Sequence, residues 1–282
     1  MILDPLDRDI TFRDLFTHTS GMSYGWDDTP VDRAYRAVSE RLERAGMPMT
    51  NARLIEEMAK LPLRWQPGTK WGYGMNTDVI GALIEVISGQ NLADFMAERI
   101  FRPLGMADTA FHLPAAKEPR RAVAYGEIAP PKGFRRLDEF KPPPAPPPFL
   151  SGGGGLVSTL EDYTRFAQML ANGGALGKVR ILSPSTTALF SLNQMAPGLK
   201  LVGADAKDPR HEGYGFSLAT RVLMDVSASG CAGNVGEFGW DGMLNTYFWV
   251  DPREALTGIL MLQRSPSGLI ALHREFKQTV YQ

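Results

Sequence analysis

Three features of this sequence predict a mixed α/β fold. Val79, Ile80, Leu83, Ile84 and Ile87 recur at helical spacing behind Thr77, and Gly89 supplies a C-terminal stop. Tyr247, Phe248, Trp249 and Val250 form an aromatic and β-branched run closed by the turn Asp251-Pro252. A second apolar run, Leu256 to Leu262, follows the short turn Arg253-Glu254, as the partner of an antiparallel hairpin would. Composition supplies the third feature: 282 residues give ample material for a buried core, and 30 Lys+Arg stand against 31 Asp+Glu.

That balance gives no electrostatic reason to expect nucleic acid or an anionic membrane as partner. No apolar run reaches the ~18 residues of a membrane span. The start Met1-Ile2-Leu3-Asp4-Pro5 lacks the basic and apolar regions of a signal peptide. With one cysteine, Cys231, there is no internal disulfide framework, and a cytoplasmic location is expected. His18, His112, His211 and His273 are scattered without ligand spacing, so neither a metal site nor any other cofactor is expected.

Taken in order, Thr11 to Thr19 reads as a short helix capped by Thr11, with Phe12, Leu15 and Phe16 as its apolar face and Gly21 ending it. Val31 to Arg44 is a charged surface helix, and Ala52 to Leu61 another, stopped by Pro62. The turn Gln66-Pro67-Gly68-Thr69 delivers Tyr73 on a glycine-flanked loop just before the amphipathic helix that starts at Thr77. Taken alone, a tyrosine so placed is a packing residue more often than a catalyst. Leu92 to Ile100 continues as helix, ended by Pro103-Leu104-Gly105.

Lys117 to Phe149 is the loosest part, because Pro130-Pro131 and the prolines from Pro142 to Pro148 favour extended polyproline conformation. A covering loop or spacer is the simpler reading, and a ligand for a proline-binding partner the other. Gly152 to Gly155 lead into Ser158-Thr159-Leu160-Glu161, read as a capping box, and a helix through Ala171. A glycine run before a helix can cradle phosphate, but the Lys-Ser/Thr of a P-loop is absent. Ser183 caps a short helix with Pro184 at its first position, Tyr214 to Leu223 alternates as a strand, and Leu269 to Tyr281 closes the chain as a helix with Leu272 and Phe276 inward. Gly239-Trp240-Asp241-Gly242 puts two glycines around a tryptophan where the hairpin's first strand begins. That strand is either the edge of a substrate cleft or an ordinary sheet strand with a Gly-rich entry.

Four blocks now stand in order: ITFRDLFTHTSGM, PGTKWGYGMNTDVIGALIEVISG, GGGGLVSTLEDYTRFAQMLANGG and FGWDGMLNTYFWVDP. Together they resemble the serine β-lactamase-like superfamily (class C β-lactamases, D-alanyl-D-alanine peptidases and, above all, family VIII carboxylesterases) over nearly the whole chain. The resemblance implies an α/β (α+β) transpeptidase-like fold, an antiparallel sheet flanked by helices plus a mainly helical lobe. It implies one domain over 1–282, with 22–149 as the lobe carrying the Pro-rich segment 130–148, and 150–282 as helices, C-terminal strands and closing helix.

In that family a Ser-x-x-Lys carries the nucleophile, a Tyr loop helps the serine lose its proton, and a Lys-Thr-Gly or Trp-x-Gly strand lines the cleft. The resemblance assigns Tyr73 to the second part and Trp240, Asp241 and Gly242 to the third, with Met243 offering an oxyanion N–H. Gly74 departs from the usual Ser, and Asp241 from a small residue. Trp240 in place of a cation and an acid at 241 point to neutral esters rather than β-lactams.

No serine in the chain has a lysine three positions later. In the family that pair precedes the His-Thr-Ser-Gly block, which here is His18 to Gly21, so the expectation is a nucleophile lying before Met1, together with two strands and a helix. His18, Thr19 and Ser20 are expected to be structural. The chain as given is therefore expected to be inactive and prone to self-association through the uncovered side. Three readings follow. The first is the body of an esterase acting on small neutral esters through an acyl-enzyme, the second a non-catalytic binding or scaffold descendant, and the third a β-lactamase, peptidase or acyl-transferase on the same site.

Overall fold

Side chains that the sequence places ahead of each apolar run cap most of the helices. The computed structural model describes residues 3–128, 133–201, 211–266, 268 and 270–282. Helix α1 (Phe12–Phe16) and α2 (Pro30–Arg44) each begin with a reciprocal capping box, Thr11 with Asp14 and Thr29 with Asp32. Thr50 caps α3 (Asn51–Met58). Helix α4 (Asn76–Ser88) starts one residue before Thr77, has no side-chain cap, and ends at Gly89 in the left-handed conformation. Asn91 caps α5 (Leu92–Met96), which runs through a π turn at Ala97–Phe101 into α6 (Arg102–Leu104).

The proline-rich stretch is more ordered than expected where it is described. It holds the strands β1 (Tyr125–Glu127) and β2 (Phe134–Arg136); Pro130 and Pro131 fall outside the described residues. Helix α7 (Leu160–Ala171) is capped by Thr159, which accepts from the Asp162 amide, and not by Ser158, whose hydroxyl pairs with Thr109. Strands β3 (Ala175–Leu176) and β4 (Val179–Arg180) form a small hairpin before α8 (Pro184–Ala188), capped by Ser183 as the sequence predicts.

Tyr214 to Leu223 is two strands, not one: β5 (Tyr214–Phe216) and β6 (Arg221–Leu223), turned by Ser217 to Thr220 with Ala219 at φ 57°. The short helix α9 (Val226–Ser229) follows. The glycine-tryptophan motif, expected to begin the hairpin's first strand, instead belongs to its own strand, β7 (Phe238–Asp241), paired with β8 (Tyr247–Asp251), which pairs in turn with β9 (Leu256–Leu260). These make one antiparallel sheet in the order β5-β6-β7-β8-β9. Strand β10 (Arg264–Ser265) joins β1 in parallel, and α10 (Ile270–Val280) closes the chain.

Period-two alternation explains why β8 is aromatic throughout. Phe248 and Val250 face the core built with Phe101, Leu104, Ala167 and Leu170. Tyr247 and Trp249 face α10, where Tyr247 stacks on His273 at 4.7 Å and Trp249 meets Phe276 edge-on at 5.6 Å. Burying a ring such as Trp249 or Phe238 contributes about 1.5–3 kcal/mol apiece. Gly258 on β9 is required, since a Cβ there would lie 2.1 Å from the Trp249 ring.

The closing helix corrects the expected apolar face. Leu272 and Phe276 are only partly buried, whereas His273 and Lys277 are buried, Lys277 in an ion pair with the equally buried Glu237. A second core, of Leu15, Met22, Tyr35, Leu54, Met58 and Val79, ties α1 to α4 and so fixes the loop that carries Tyr73.

Candidate active site

Tyr73 stands where two chain segments cross. The Gly72 amide donates to the His18 carbonyl at 2.9 Å, pinning the loop to the turn after α1. His18 adopts φ 54°, and its ring stacks on Tyr73 at 4.8 Å. Asn76 Nδ2 lies 3.0 Å from His18 Nδ1, and Ser20 Oγ donates to Asn76 Oδ1 at 2.5 Å. An amide nitrogen can only donate, so His18 Nδ1 accepts and the neutral ring carries its proton on Nε2. Burial lowers the His18 pKa to about 3, which keeps it neutral. The Ser20 hydroxyl also accepts from the Met22 amide at 3.1 Å, so it is engaged on both sides inside the wall.

Gly74, where Ser is usual, has a steric reason. A Cβ at that position would lie 2.2 Å from the Met22 carbonyl oxygen, so only glycine lets the loop approach.

Asp78, in the first turn of α4, is almost fully buried and ties three elements together. Tyr24 Oη donates to its Oδ2 at 2.9 Å, the Gly153 amide donates to Oδ1 at 3.2 Å, and Ser151 Oγ donates to the same oxygen. The amide of the glycine run that could have cradled phosphate is therefore turned on a carboxylate of the chain itself. Gly152 also sits against α4, where a Cβ would meet the Thr77 carbonyl at 2.1 Å.

The opposite wall is the end of β7 and the turn after it. Trp240 lies 5.7 Å from Tyr73, ring to ring, which brings the two walls together. Asp241 does not face the cleft as a free acid: Arg221 Nη1 holds its Oδ1 at 3.0 Å, and both side chains are largely buried. Burial would lower the Arg221 guanidinium; Asp241 overrides this and holds it charged. The guanidinium also lies 5.3 Å from the rings of Tyr214 and Tyr247 and 5.8 Å from Trp240. The expected repulsion of anions by Asp241 is therefore largely cancelled.

Gly242 donates to Thr246 and Asn245 to Gly242 within the turn, a pattern that leaves out the amide of Met243, whose side chain is exposed. Burial is the main cause raising the Tyr73 pKa; the nearby Trp240 side chain opposes it, and the charges of Asp241 and Asp78 add to it. In these surroundings Tyr73 is a phenol, able to donate a proton.

All five residues singled out in the sequence line one cleft of ≈ 1830 Å³: Tyr73, Trp240, Asp241, Gly242 and Met243. Its remaining lining is mainly apolar, including Ile80, Ile84, Phe95, Met96 and Phe101. Sequence reading missed Tyr24, Trp26, Asp78 and Ser151 on the Tyr73 side and Arg221 on the strand side. Tyr24 and Trp26, six and eight residues after His18, had no pattern to mark them, and the partner of Arg221 lies on the next strand. Among the described residues no group of three or more His, Cys, Asp or Glu could hold a metal ion. No single described helix is long and apolar enough to cross a membrane.

The Beta-lactamase family model matches residues 3–278. Protein Rv1367c of Mycobacterium tuberculosis is 34% identical over 270 residues, which cover 93% of this chain and 64% of that protein. Esterase EstB of Burkholderia gladioli is 30% identical over 281 residues, covering 92% of this chain and 66% of that protein. The chain thus spans just under two thirds of the length of these relatives. Among solved structures, unliganded simvastatin synthase (LovD) from Aspergillus terreus superposes with a TM-score of 0.78 over 98% of this chain and 69% of that one, at 23% identity. That likeness establishes the fold.

Proposed function

The chain belongs to the Beta-lactamase family, and from that premise we propose that it forms the Tyr73 and Trp240 walls of an ester-cleaving site whose nucleophile lies outside these 282 residues. The observation that carries this reading is the meeting of Tyr73 and Trp240 at 5.7 Å across a mainly apolar cleft. Relatives named as esterases, Esterase EstB and the lovastatin esterase of Penicillium rubens, support the reaction class. The relative named Acyltransferase calJ, of Penicillium decumbens, keeps transfer to an alcohol as the alternative to hydrolysis.

The chemistry asks for a serine whose proton has somewhere to go. Tyr73 is placed for that exchange but is held as a phenol by burial and by the carboxylates of Asp241 and Asp78. A lysine ammonium brought beside it would offset those carboxylates and lower its pKa, making the phenolate accessible as a base. No Ser-x-x-Lys exists in this sequence, so we assign that pair to the part of the relatives' length that the chain does not match. The cleft has room for it. A helix about 10 Å across takes on the order of 120 Å³ per residue, so ≈ 1830 Å³ holds about a dozen residues of helix and a small ester besides.

Met243 N–H then serves as one oxyanion donor, the serine's own N–H as the other. The acyl-enzyme would form as the Tyr73 phenolate takes the serine proton, the serine oxygen bonds to the ester carbonyl carbon, and the bond from that carbon to the alcohol oxygen breaks, the alcohol leaving with the proton that Tyr73 returns. Water would then give a proton to Tyr73 as its oxygen bonds to the acyl carbon, and the serine would leave with that proton, releasing the acid. A neutral ester suits the Trp240 end of the cleft, where Trp240 supplies no cation for a carboxylate and Arg221 is committed to Asp241.

The test is intact-mass spectrometry after a fluorophosphonate probe, beside p-nitrophenyl butyrate turnover. The 282-residue chain alone takes no label and turns nothing over. Adding a polypeptide that carries the Ser-x-x-Lys segment restores one adduct on that serine and turnover that Tyr73→Phe lowers by about 10²–10⁴-fold. A stoichiometric adduct on a serine of the chain alone overturns the assignment. A second reading, a non-catalytic binding protein on the same cleft, is favoured by the same missing pair; no label on the completed protein would establish it.

A further inference from the structure

A second cavity, of ≈ 30 Å³, lies between α10 and the sheet and shares no lining residue with the cleft. One water needs about 10–15 Å³, so this space holds a single small guest. From α10 come His273, Arg274 and Lys277, and from β5, β6 and β8 come Tyr214, Arg221 and Tyr247. Cys231, just past α9, completes the lining. Arg221, Tyr247, His273 and Lys277 are almost fully buried, and Arg274 is half-buried.

The chemistry of this lining is one-sided. Every one of these side chains carries a hydrogen-bond donor, three of them are cations, and none is a carboxylate. Each cation is anchored: Arg221 to Asp241 at 3.0 Å, Lys277 to Glu237, and Arg274 Nη2 to the Ser229 carbonyl at 3.2 Å. Neither acid lines the cavity. Asp241 takes one of the five N–H groups of the Arg221 guanidinium, and Arg221 borders this cavity but not the cleft. Arg221 and Lys277 lie 5.3 and 6.0 Å from the same Tyr214 ring, so two like charges are crowded around one neighbour. A water in this space would have to donate its protons into a wall whose guanidinium and ammonium groups accept none. An anion accepts from all of them, and away from bulk water its charge offsets theirs strongly.

We propose that this cavity is a binding site for a small monovalent anion of the size of chloride, held by Arg221, Arg274 and Lys277. The bound anion relieves the repulsion among those cations. Through Arg221 it also steadies the ion pair that supports the Trp240 wall. The site is independent of the ester reading and stands or falls without it.

Urea unfolding of the 282-residue chain at pH 7 tests the site. Sodium gluconate, whose anion is too large to enter, is replaced stepwise by sodium chloride at a constant ionic strength of about 0.2 M. The folding constant rises about tenfold or more, in proportion to 1 + [Cl⁻]/Kd as a single site requires. Arg274→Gln removes one cation and cuts the gain to about threefold or less, while Arg274→Lys restores most of it. Cys231→Val puts an extra methyl group into the cavity and abolishes the gain. Circular dichroism in gluconate checks the fold of each variant. If one of the two site-removing variants does not fold, the other decides, because each removes the site by a different route. No gain in the parent overturns the proposal. A gain that survives removal of the cation or filling of the cavity is a general salt effect and overturns it too.

Discussion

The two walls of the cleft are built by opposite means. The Tyr73 wall is a set of buried, mostly neutral groups that satisfy one another: Ser20 with Asn76, Asn76 with His18, and His18 stacked on Tyr73. The Trp240 wall is held by charge, with Arg221 gripping Asp241 between the rings of Tyr214, Tyr247 and Trp240. A neutral network is indifferent to its neighbours' charge but fails if one member becomes charged. A buried ion pair tolerates pH better and fails if one partner is lost. The catalytic tyrosine of the proposed reaction sits on the mostly neutral wall, where a cation delivered from outside would offset the charges of Asp241 and Asp78 that act on it.

Acid is the strongest way to break the first wall. Folded His18 has a pKa of about 3 against 6.5 unfolded, so between these values the unfolded chain binds a proton that the folded chain refuses. His18 therefore contributes stability that is complete above pH 6.5 and is lost as pH falls toward 3, by at most about 5 kcal/mol at ~1.4 kcal/mol per unit. The control is His18→Asn, a residue that tolerates the left-handed backbone and does not titrate here. Urea unfolding from pH 7 to pH 4 should fall more steeply for the parent than for this variant. Parallel curves would mean that His18 is not sealed off and that the neutral-wall description is wrong.

The charged wall breaks by mutation. Arg221→Met leaves the Asp241 carboxylate half of a buried pair, at a cost of about 3–5 kcal/mol. Asp241→Asn added to it should recover most of that loss, because the stranded charge is gone. Asp241→Asn alone is the milder change, since Arg221 keeps three aromatic faces. A cost below about 1 kcal/mol for Arg221→Met, with no recovery in the double variant, would place this wall's stability in packing and remove the contrast.

The two walls also differed in how much of them could be read from sequence. Tyr73 and Trp240 to Met243 were picked out by the resemblance of four ordered blocks to a family, since the local pattern alone reads Tyr73 as packing and leaves the glycine-flanked strand end open. Helix caps at Thr11 and Ser183 were legible from a short local pattern. Arg221 was not, because what makes it part of the site is a partner 20 residues away on the next strand. Asp78 was not, since Ser151 meets it across 73 residues. The hairpin at Tyr214 to Leu223 was read as one strand because its turn is made with Ala219 at positive φ, where no glycine announces it. Lys277 was overlooked as a core residue because a lysine is buried only when paired, and Glu237 lies on another element.

Gly74 tests the neutral wall at its finest scale. The family resemblance suggests serine there, yet the Met22 carbonyl oxygen stands 2.2 Å from where a Cβ would be, and that oxygen belongs to backbone that cannot rotate aside. Gly74→Ser should cost about 1–3 kcal/mol, as overpacking does. The strain would push the loop away from Met22 and loosen the stack of Tyr73 on His18. Gly74→Ala should cost the same, because the obstruction is the Cβ and not the hydroxyl. A serine variant as stable as the parent would show that the loop has slack, and the position would then be open to the family's usual residue. If instead serine is markedly better than alanine, its hydroxyl has found a donor or acceptor in the wall. Either outcome would limit the contrast between the walls: the neutral one would then be adjustable by single side chains, as the charged one is not.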